Sequence, residues 1–269
     1  MTTGSLPSAL ARFGEIRSAV GGRRPVVFLD YDGTLTPIVE RPELARLSEP
    51  MRETVRELAR RVPVAVISGR DLGDVRGLVA IDGIFYAGSH GFEIDAPSGA
   101  RAVLGGGEEF LDSLDIAERE LAERTRGIEG VLVERKRFSI AVHYRMARER
   151  DLASIHRLVS ESAARHPRLR RSEGKKVHEL RPGVEWHKGK AVLALLARMA
   201  PRAGEAAAVY IGDDLTDEDA FHALRGRGVG IVVRDADRPT AAGYALEDVA
   251  EVGRFLTLLA AACRQLPAT

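Results

Sequence analysis

Short, wholly apolar runs that stop at a polar residue limit the folds open to this chain more than any other feature. Val26-Val27-Phe28-Leu29 ends in Asp30, Val64-Ala65-Val66-Ile67 ends in Ser68, and Ala207-Ala208-Val209-Tyr210-Ile211 runs into Gly212-Asp213. A strand without polar alternation is one covered on both faces, as in parallel sheets. Between the runs, apolar residues recur at helical spacing: Met51, Val55, Leu58 and Val62 follow Ser48, a residue suited to cap a helix. Ile84 to Ala87 and Val229 to Val233 add further strands, with helices expected over Lys190 to Met199, over Asp217 to Leu224 and onward from about Asp248. Strands alternating with helices predict an α/β fold on a doubly wound parallel sheet.

The middle of the chain has another period. Gly105-Gly106-Gly107 opens it, a helix carries Phe110, Leu111, Leu114, Leu121 and Ala122, and Phe138, Ile140, Val142 and Tyr144 then alternate with Ser139, Ala141, His143 and Arg145. That alternation predicts a sheet with one covered and one open face. A second helix ends at His166-Pro167, and two short strands return to Pro182-Gly183. The expected organisation is a discontinuous core, residues 1–104 and 184–269, with an inserted α+β domain over 105–183.

Composition excludes several functions. With 40 Lys+Arg against 39 Asp+Glu, the net charge of +1 supplies no bulk field to hold a polyanion. The basic cluster Arg165, Arg168, Arg170, Arg171, Lys175 and Lys176 lacks interleaved aromatics, so a solvated surface is expected there rather than a nucleic-acid site. Cys263 stands alone, which rules out an intrachain disulfide. Pro7, Arg12, Glu15 and Arg17 interrupt any N-terminal export signal, and no apolar run approaches the ~18 residues of a membrane span. A cytoplasmic monomer that meets neither membrane nor nucleic acid is expected.

The chemistry gathers at the strand ends. In Asp30-Tyr31-Asp32-Gly33-Thr34, residues two apart in extended backbone point the same way, so both carboxylates can face one crevice. One acid can attack phosphorus while the other gives and takes protons. An acidic turn would account for Asp32-Gly33 but leaves Asp30, directly after four apolar residues, unexplained. Asp213, Asp214, Asp217 and Glu218 follow another strand and make an oxygen-rich site of the kind Mg²⁺ prefers, although Glu218 also suits a helix N-terminus. Ser68-Gly69-Arg70 offers a hydroxyl and a cation at a third strand end, or simply a turn. Lys188 precedes a helix, where a cation opposes the dipole, so a partner in the acidic crevice is expected.

In this order these pieces resemble the haloacid dehalogenase superfamily of phosphatases, with the insert resembling a type C2 cap. The resemblance implies that Asp30 is the nucleophile, Asp32 the general acid/base, Ser68 a phosphate donor and Lys188 the charge stabiliser. It also implies Mg²⁺ held by Asp30, Asp213 and the main chain of Asp32, supported by Asp214 and Asp217. Finer wording narrows the family. The run from Asp30 to Val39, Gly88-Ser-His-Gly91, Glu134-Arg-Lys136, Ala141-Val-His-Tyr-Arg145, Glu179-Leu-Arg-Pro182 and the run from Gly212 to Phe221 are similar to trehalose-6-phosphate phosphatases. That likeness implies Mg²⁺-dependent hydrolysis of trehalose 6-phosphate, a small-molecule sugar phosphate, through an aspartyl-phosphate on Asp30. It places Glu134, Lys136 and Glu179 on sugar hydroxyls, with Arg70, His90, His143 and Arg145 as further candidates. The cap is then expected to close about Gly105 to Gly107 and Pro182-Gly183. The alternatives are another capped sugar phosphatase, acting on sucrose phosphate or mannosyl-phosphoglycerate, and a non-catalytic sugar-phosphate-binding domain.

Overall fold

The computed structural model describes residues 1–174, 176–200, 202, 204 and 206–263, so Lys175 of the basic cluster and the end of the chain lie outside the described residues. In chain order the elements are α1 (Phe13–Val20), β1 (Arg24–Leu29), α2 (Glu49–Ala59), β2 (Val64–Ile67), α3 (Leu72–Val79), β3 (Phe85–Gly88), β4 (Glu93–Asp95) and β5 (Arg101–Val103). Then follow α4 (Leu111–Thr125), β6 (Leu132–Lys136), β7 (Ser139–His143), α5 (Glu149–Arg165), β8 (Leu169–Gly174) and β9 (Val177–Pro182). The chain closes with α6 (Lys188–Met199), β10 (Ala206–Gly212), α7 (Glu218–Ala223), β11 (Gly228–Val233), β12 (Tyr244–Leu246) and α8 (Val249–Ala262). These form two compact units, Met1–Ala102 with His187–Thr269, and Val103–Trp186.

The first unit is the expected α/β fold. Its sheet runs β12-β11-β10-β1-β2-β3-β4-β5. The pairs from β12 to β3 are parallel, while β4 joins β3 antiparallel, so the sheet is mixed at that edge. From β1 the chain winds outward through β2 to β3, and from β10, β1's other neighbour, outward through β11 to β12. The β1–β10 seam is thus the topological switch point, where sheets of this kind bind ligands outside the carboxyl ends of the strands. Val27, Leu29, Val66, Val209 and Ile211 pack on one face of the sheet with Ile16 of α1, Val55 of α2 and Phe255 of α8. The alternate residues Val26, Phe28, Ala65, Ile67, Ala208 and Tyr210 are buried as well, so both faces are covered and the runs are wholly apolar. Ser48 caps α2 by accepting from the Met51 N–H, and Asp248 caps α8 by accepting from the Glu251 N–H at 2.8 Å. Helix α6 begins at Lys188, two residues earlier than its apolar periodicity suggests.

The second unit is an antiparallel sheet in the order β6-β7-β9-β8, with α4 and α5 on one face. Leu114, Leu121, Ile140, Val142, Ile155, Val159 and Leu180 form its core. Strand β7 departs from the expected alternation, because Ser139 and Ala141, assigned to an open face, are 1% and 0% exposed. Both are small residues on an inner strand, and Ala141 sits in register between Glu134 of β6 and Glu179 of β9. Flanked by longer side chains, a small residue is shielded whichever way it points. Several members of the basic cluster are ion-paired within this unit: Arg165 with Glu120, Arg168 with Glu109 and Arg171 with Glu173. Among the described residues, no helix is long and apolar enough to cross a membrane.

Candidate active site

The end of β1 and the end of β10 meet in register, Leu29 beside Ile211, so that Asp30 leaves the sheet next to Gly212-Asp213 at the switch point. The Asp30 N–H donates to the Ile211 carbonyl at 2.9 Å and continues the pairing one residue past the end of β1. Carboxylate oxygens of Asp30, Asp213 and Asp217 all lie within 4.8 Å of one another. Two close approaches require glycine. A Cβ on Gly33, whose φ is +83°, would fall 2.1 Å from Asp213 Oδ2, and one on Gly212 would fall 2.4 Å from the Asp217 carboxyl carbon.

Lys188 ties the cluster together. Its Nζ donates to Asp30 Oδ1 and to Asp217 Oδ1, both at 2.6 Å. Asp217 is saturated: Tyr210 Oη also donates to its Oδ1 at 2.6 Å, while the N–H groups of Asp213 and Asp214 donate to its Oδ2 at 2.9 and 2.8 Å. All four groups are shut off from water, with Lys188 at 3% exposed, Asp30 at 5%, Asp213 at 2% and Asp217 at 0%. Burial raises the Asp30 carboxyl well above the usual range, helped by Asp217 and Asp213 and opposed by Lys188. Burial alone would lower the Lys188 amine, but Asp217 and Asp30 outweigh it and hold the amine well above its ordinary value. Asp217 also resists its own burial, and Lys188 and the Tyr210 hydroxyl keep its carboxyl below the usual range.

Three buried carboxylates therefore converge where Lys188 donates to two of them, and buried acids of this kind persist only with cationic partners. The donors are all hard carboxylate oxygens, and His and Cys are absent from the cluster, so the residues fit a divalent ion of the Mg²⁺ class. Asp214 is not in that cluster; its Oδ1 accepts from the Leu215 N–H at 2.7 Å and caps the short turn Leu215–Asp217.

The remaining first-unit candidates fall on one loop system. Ser68 follows β2, and its Oγ accepts from the Arg70 N–H at 3.1 Å. Asp32 is paired with Arg70. His90 lies against Gly69, where a Cβ would sit 2.8 Å from the imidazole Cε1. Ser89 and His90 take successive φ values of +49° and +56°, a backbone conformation rare outside glycine and more frequent at functional sites. Hydrogen bonds from Ser89 N–H to the Arg70 carbonyl, 2.6 Å, and from His90 N–H to the Ser68 carbonyl, 2.9 Å, hold them there.

In the second unit, Glu134, Ala141 and Glu179 share one row of the sheet. Alternation along the strands sets Glu134, Lys136, His143 and Glu179 on the face opposite α4 and α5. His143 Nε2 lies 2.7 Å from Glu134 Oε2, and Lys136 Nζ donates to Glu179 Oε1 at 3.3 Å. Arg145 lies beyond the end of β7 in an exposed turn. Sequence reasoning missed three supports: Tyr210 on Asp217, Asp74 on Arg70, and Arg238, which donates to the Asp213 carbonyl at 2.9 Å while paired with Glu218. Tyr210 was legible only as another apolar strand residue, and no motif signals Asp74 or Arg238.

A family model for trehalose-phosphatase matches residues 28–250 of the chain. The chain belongs to the trehalose-phosphatase family. Within it, a probable trehalose-phosphate phosphatase D of Arabidopsis thaliana is 42% identical over 264 residues, covering 94% of this chain and 72% of that protein. A trehalose-phosphate phosphatase of Mycobacterium bovis is 44% identical over 267 residues, covering 97% of this chain and 68% of its own length. Among solved structures, the C-terminal domain of a Candida albicans trehalose-6-phosphate phosphatase aligns with a TM-score of 0.80 at 24% identity, covering 96% of this chain and 99% of that one. At that identity the likeness speaks for the fold.

Proposed function

We propose that this member of the trehalose-phosphatase family is a Mg²⁺-dependent hydrolase that releases phosphate from trehalose 6-phosphate. The observation that carries the reading is the buried Lys188 bridge between Asp30 and Asp217 beside Asp213, at the switch point where α/β sheets bind ligands. The family match and the names of the relatives supply the substrate class.

Asp30 attacks phosphorus, and the phosphorus–sugar oxygen bond breaks as the aspartyl-phosphate forms. Asp32 supplies the proton that the departing sugar oxygen takes up, then accepts one from the water that attacks phosphorus. That second displacement frees phosphate and restores Asp30. Lys188 offsets charge on the phosphoryl oxygens while holding Asp30 in place, and Ser68 offers a hydroxyl to the phosphate. Asp30, Asp213 and the Asp32 carbonyl would hold Mg²⁺, with Asp214 supporting and Asp217 anchoring Lys188; the ion would supply positive charge to offset that of the phosphoryl group. The second unit, proposed as the substrate-recognition cap, contributes Glu134, Lys136, His143 and Glu179, whose charged donors and acceptors suit the many hydroxyls of a disaccharide.

Phosphate release from a panel of sugar phosphates, with Mg²⁺ and with EDTA, tests the reading. Trehalose 6-phosphate is expected to give the highest kcat/KM, with turnover lost in EDTA. Faster hydrolysis of sucrose phosphate or mannosyl-phosphoglycerate would reassign the substrate, and no turnover on any of them would favour a binding domain.

A further inference from the structure

Arg70 lies where a cation could meet substrate, yet protein groups already engage its guanidinium. Nε donates to Asp32 Oδ2 at 2.8 Å and a terminal nitrogen donates to Asp32 Oδ1 at 2.8 Å, so the two planar groups meet fork to fork. The other terminal nitrogen donates to Asp74 Oδ2, in the first turn of α3, at 2.9 Å. The guanidinium carbon lies 5.4 Å from the centre of the Tyr31 ring, and the side chain is 8% exposed. Burial works against the guanidinium charge, but Asp32 and Asp74 overcome it and raise the pKa above the ordinary arginine value. The main chain is held too, between Ser68 Oγ and the Ser89 N–H.

We propose that Arg70 is a positioning residue that fixes the orientation of the Asp32 carboxylate for proton transfer and does not itself bind substrate. The inference rests on the reading of Asp32 as the proton-transfer group. Asp32 stands in a turn before Gly33, with its side chain 36% exposed, and without the fork its carboxylate could rotate freely. A carboxylate oxygen has two lone pairs, so the fork still leaves each oxygen a free site for the leaving group or for water. Misplacing a reacting group by about 1 Å can cost roughly 10²-fold in rate, which gives a fixed carboxylate a direct kinetic value. Lysine could not replace the fork, because an ammonium is a point charge without the planar pair of donors. Tyr31 below and Asp74 behind hold the guanidinium itself.

A double-variant cycle tests this. Asp32→Asn, Arg70→Ala and the double variant are assayed with Mg²⁺ on trehalose 6-phosphate, or on whichever sugar phosphate the wild-type protein turns over fastest, after thermal melting has verified folding. Arg70→Ala is expected to lower kcat roughly 10- to 100-fold with KM little changed. In the Asp32→Asn background the same change is expected to add less than about twofold. Losses that multiply, or a raised KM with kcat retained, would make Arg70 a substrate contact and overturn the proposal. Arg70→Lys, which keeps the cation, covers the case that the alanine variant does not fold; it should also lose kcat, and wild-type kcat in this variant overturns the proposal. Normal turnover by Asp32→Asn would overturn it through its premise, an outcome separate from any effect of Arg70.

Discussion

A lysine at the first position of a helix opposes the helix dipole, and in this chain the partners that reverse the sign are Asp30 and Asp217. The misfit was visible in the sequence because dipole and side-chain charge are both properties of a residue and its neighbours. The saturation of Asp217 by Tyr210 and two main-chain N–H groups was not, since it depends on how a strand, a turn and a helix meet. His178 carries the clearest pH dependence at this scale. It is fully buried, its Nε2 lies 2.6 Å from His156 Nδ1, and Tyr144 stacks on it with ring centres 4.8 Å apart. Burial first, then the positive charge of Arg171 and the neighbouring His156, push its pKa down from 6.5 to about 4. Between those values the unfolded chain binds the extra proton, so stability falls as pH drops through that window, with a limiting slope of about 1.4 kcal/mol per pH unit. Denaturant titrations from pH 7 to 4 should show this slope in the wild-type protein and a shallower one in His178→Gln. Equal slopes would assign the acid sensitivity to other groups.

Elements divide into those with a strong period and those without one. Strands β1, β2, β10 and β11 were legible because burial on both faces leaves unbroken apolar runs. Strands β4 and β5 have three residues each, Glu93-Ile94-Asp95 and Arg101-Ala102-Val103, too few to display any period. Helix α1 reads as a polar lead-in, for it carries Gly14 and Ser18, turns only Ile16 and Val20 fully inward, and lacks a side-chain cap at Arg12. Contact between the turn after β1 and the end of β10 was equally hidden, although Gly33 marks one side of it. Gly33→Ala should push the Asp213 carboxylate aside, lowering turnover by at least about tenfold and raising the Mg²⁺ concentration needed for half-maximal activity. A variant with wild-type turnover and Mg²⁺ dependence would show that Asp213 need not stand where it does.

For the whole molecule, near-neutrality conceals sorted charge. The acids Asp30, Asp213 and Asp217 converge at the switch point of the first unit, and Arg165, Arg168 and Arg171 pair with glutamates in the second. Net charge could not reveal this sorting, because Asp30 is 183 residues from Asp213 in the chain and the parallel pairing of β1 with β10 brings them together. The Lys188 bridge gives that convergence a chemical use only if Asp30 carries the phosphoryl group. Rapid acid quenching of the protein during turnover of trehalose 6-phosphate with Mg²⁺, followed by peptide mass measurement, tests this most directly. The predicted result is one phosphoryl group on the peptide holding Asp30, absent in Asp30→Asn together with steady-state phosphate release. Undiminished turnover by Asp30→Asn, or a phosphoryl group on another residue, would contradict the account.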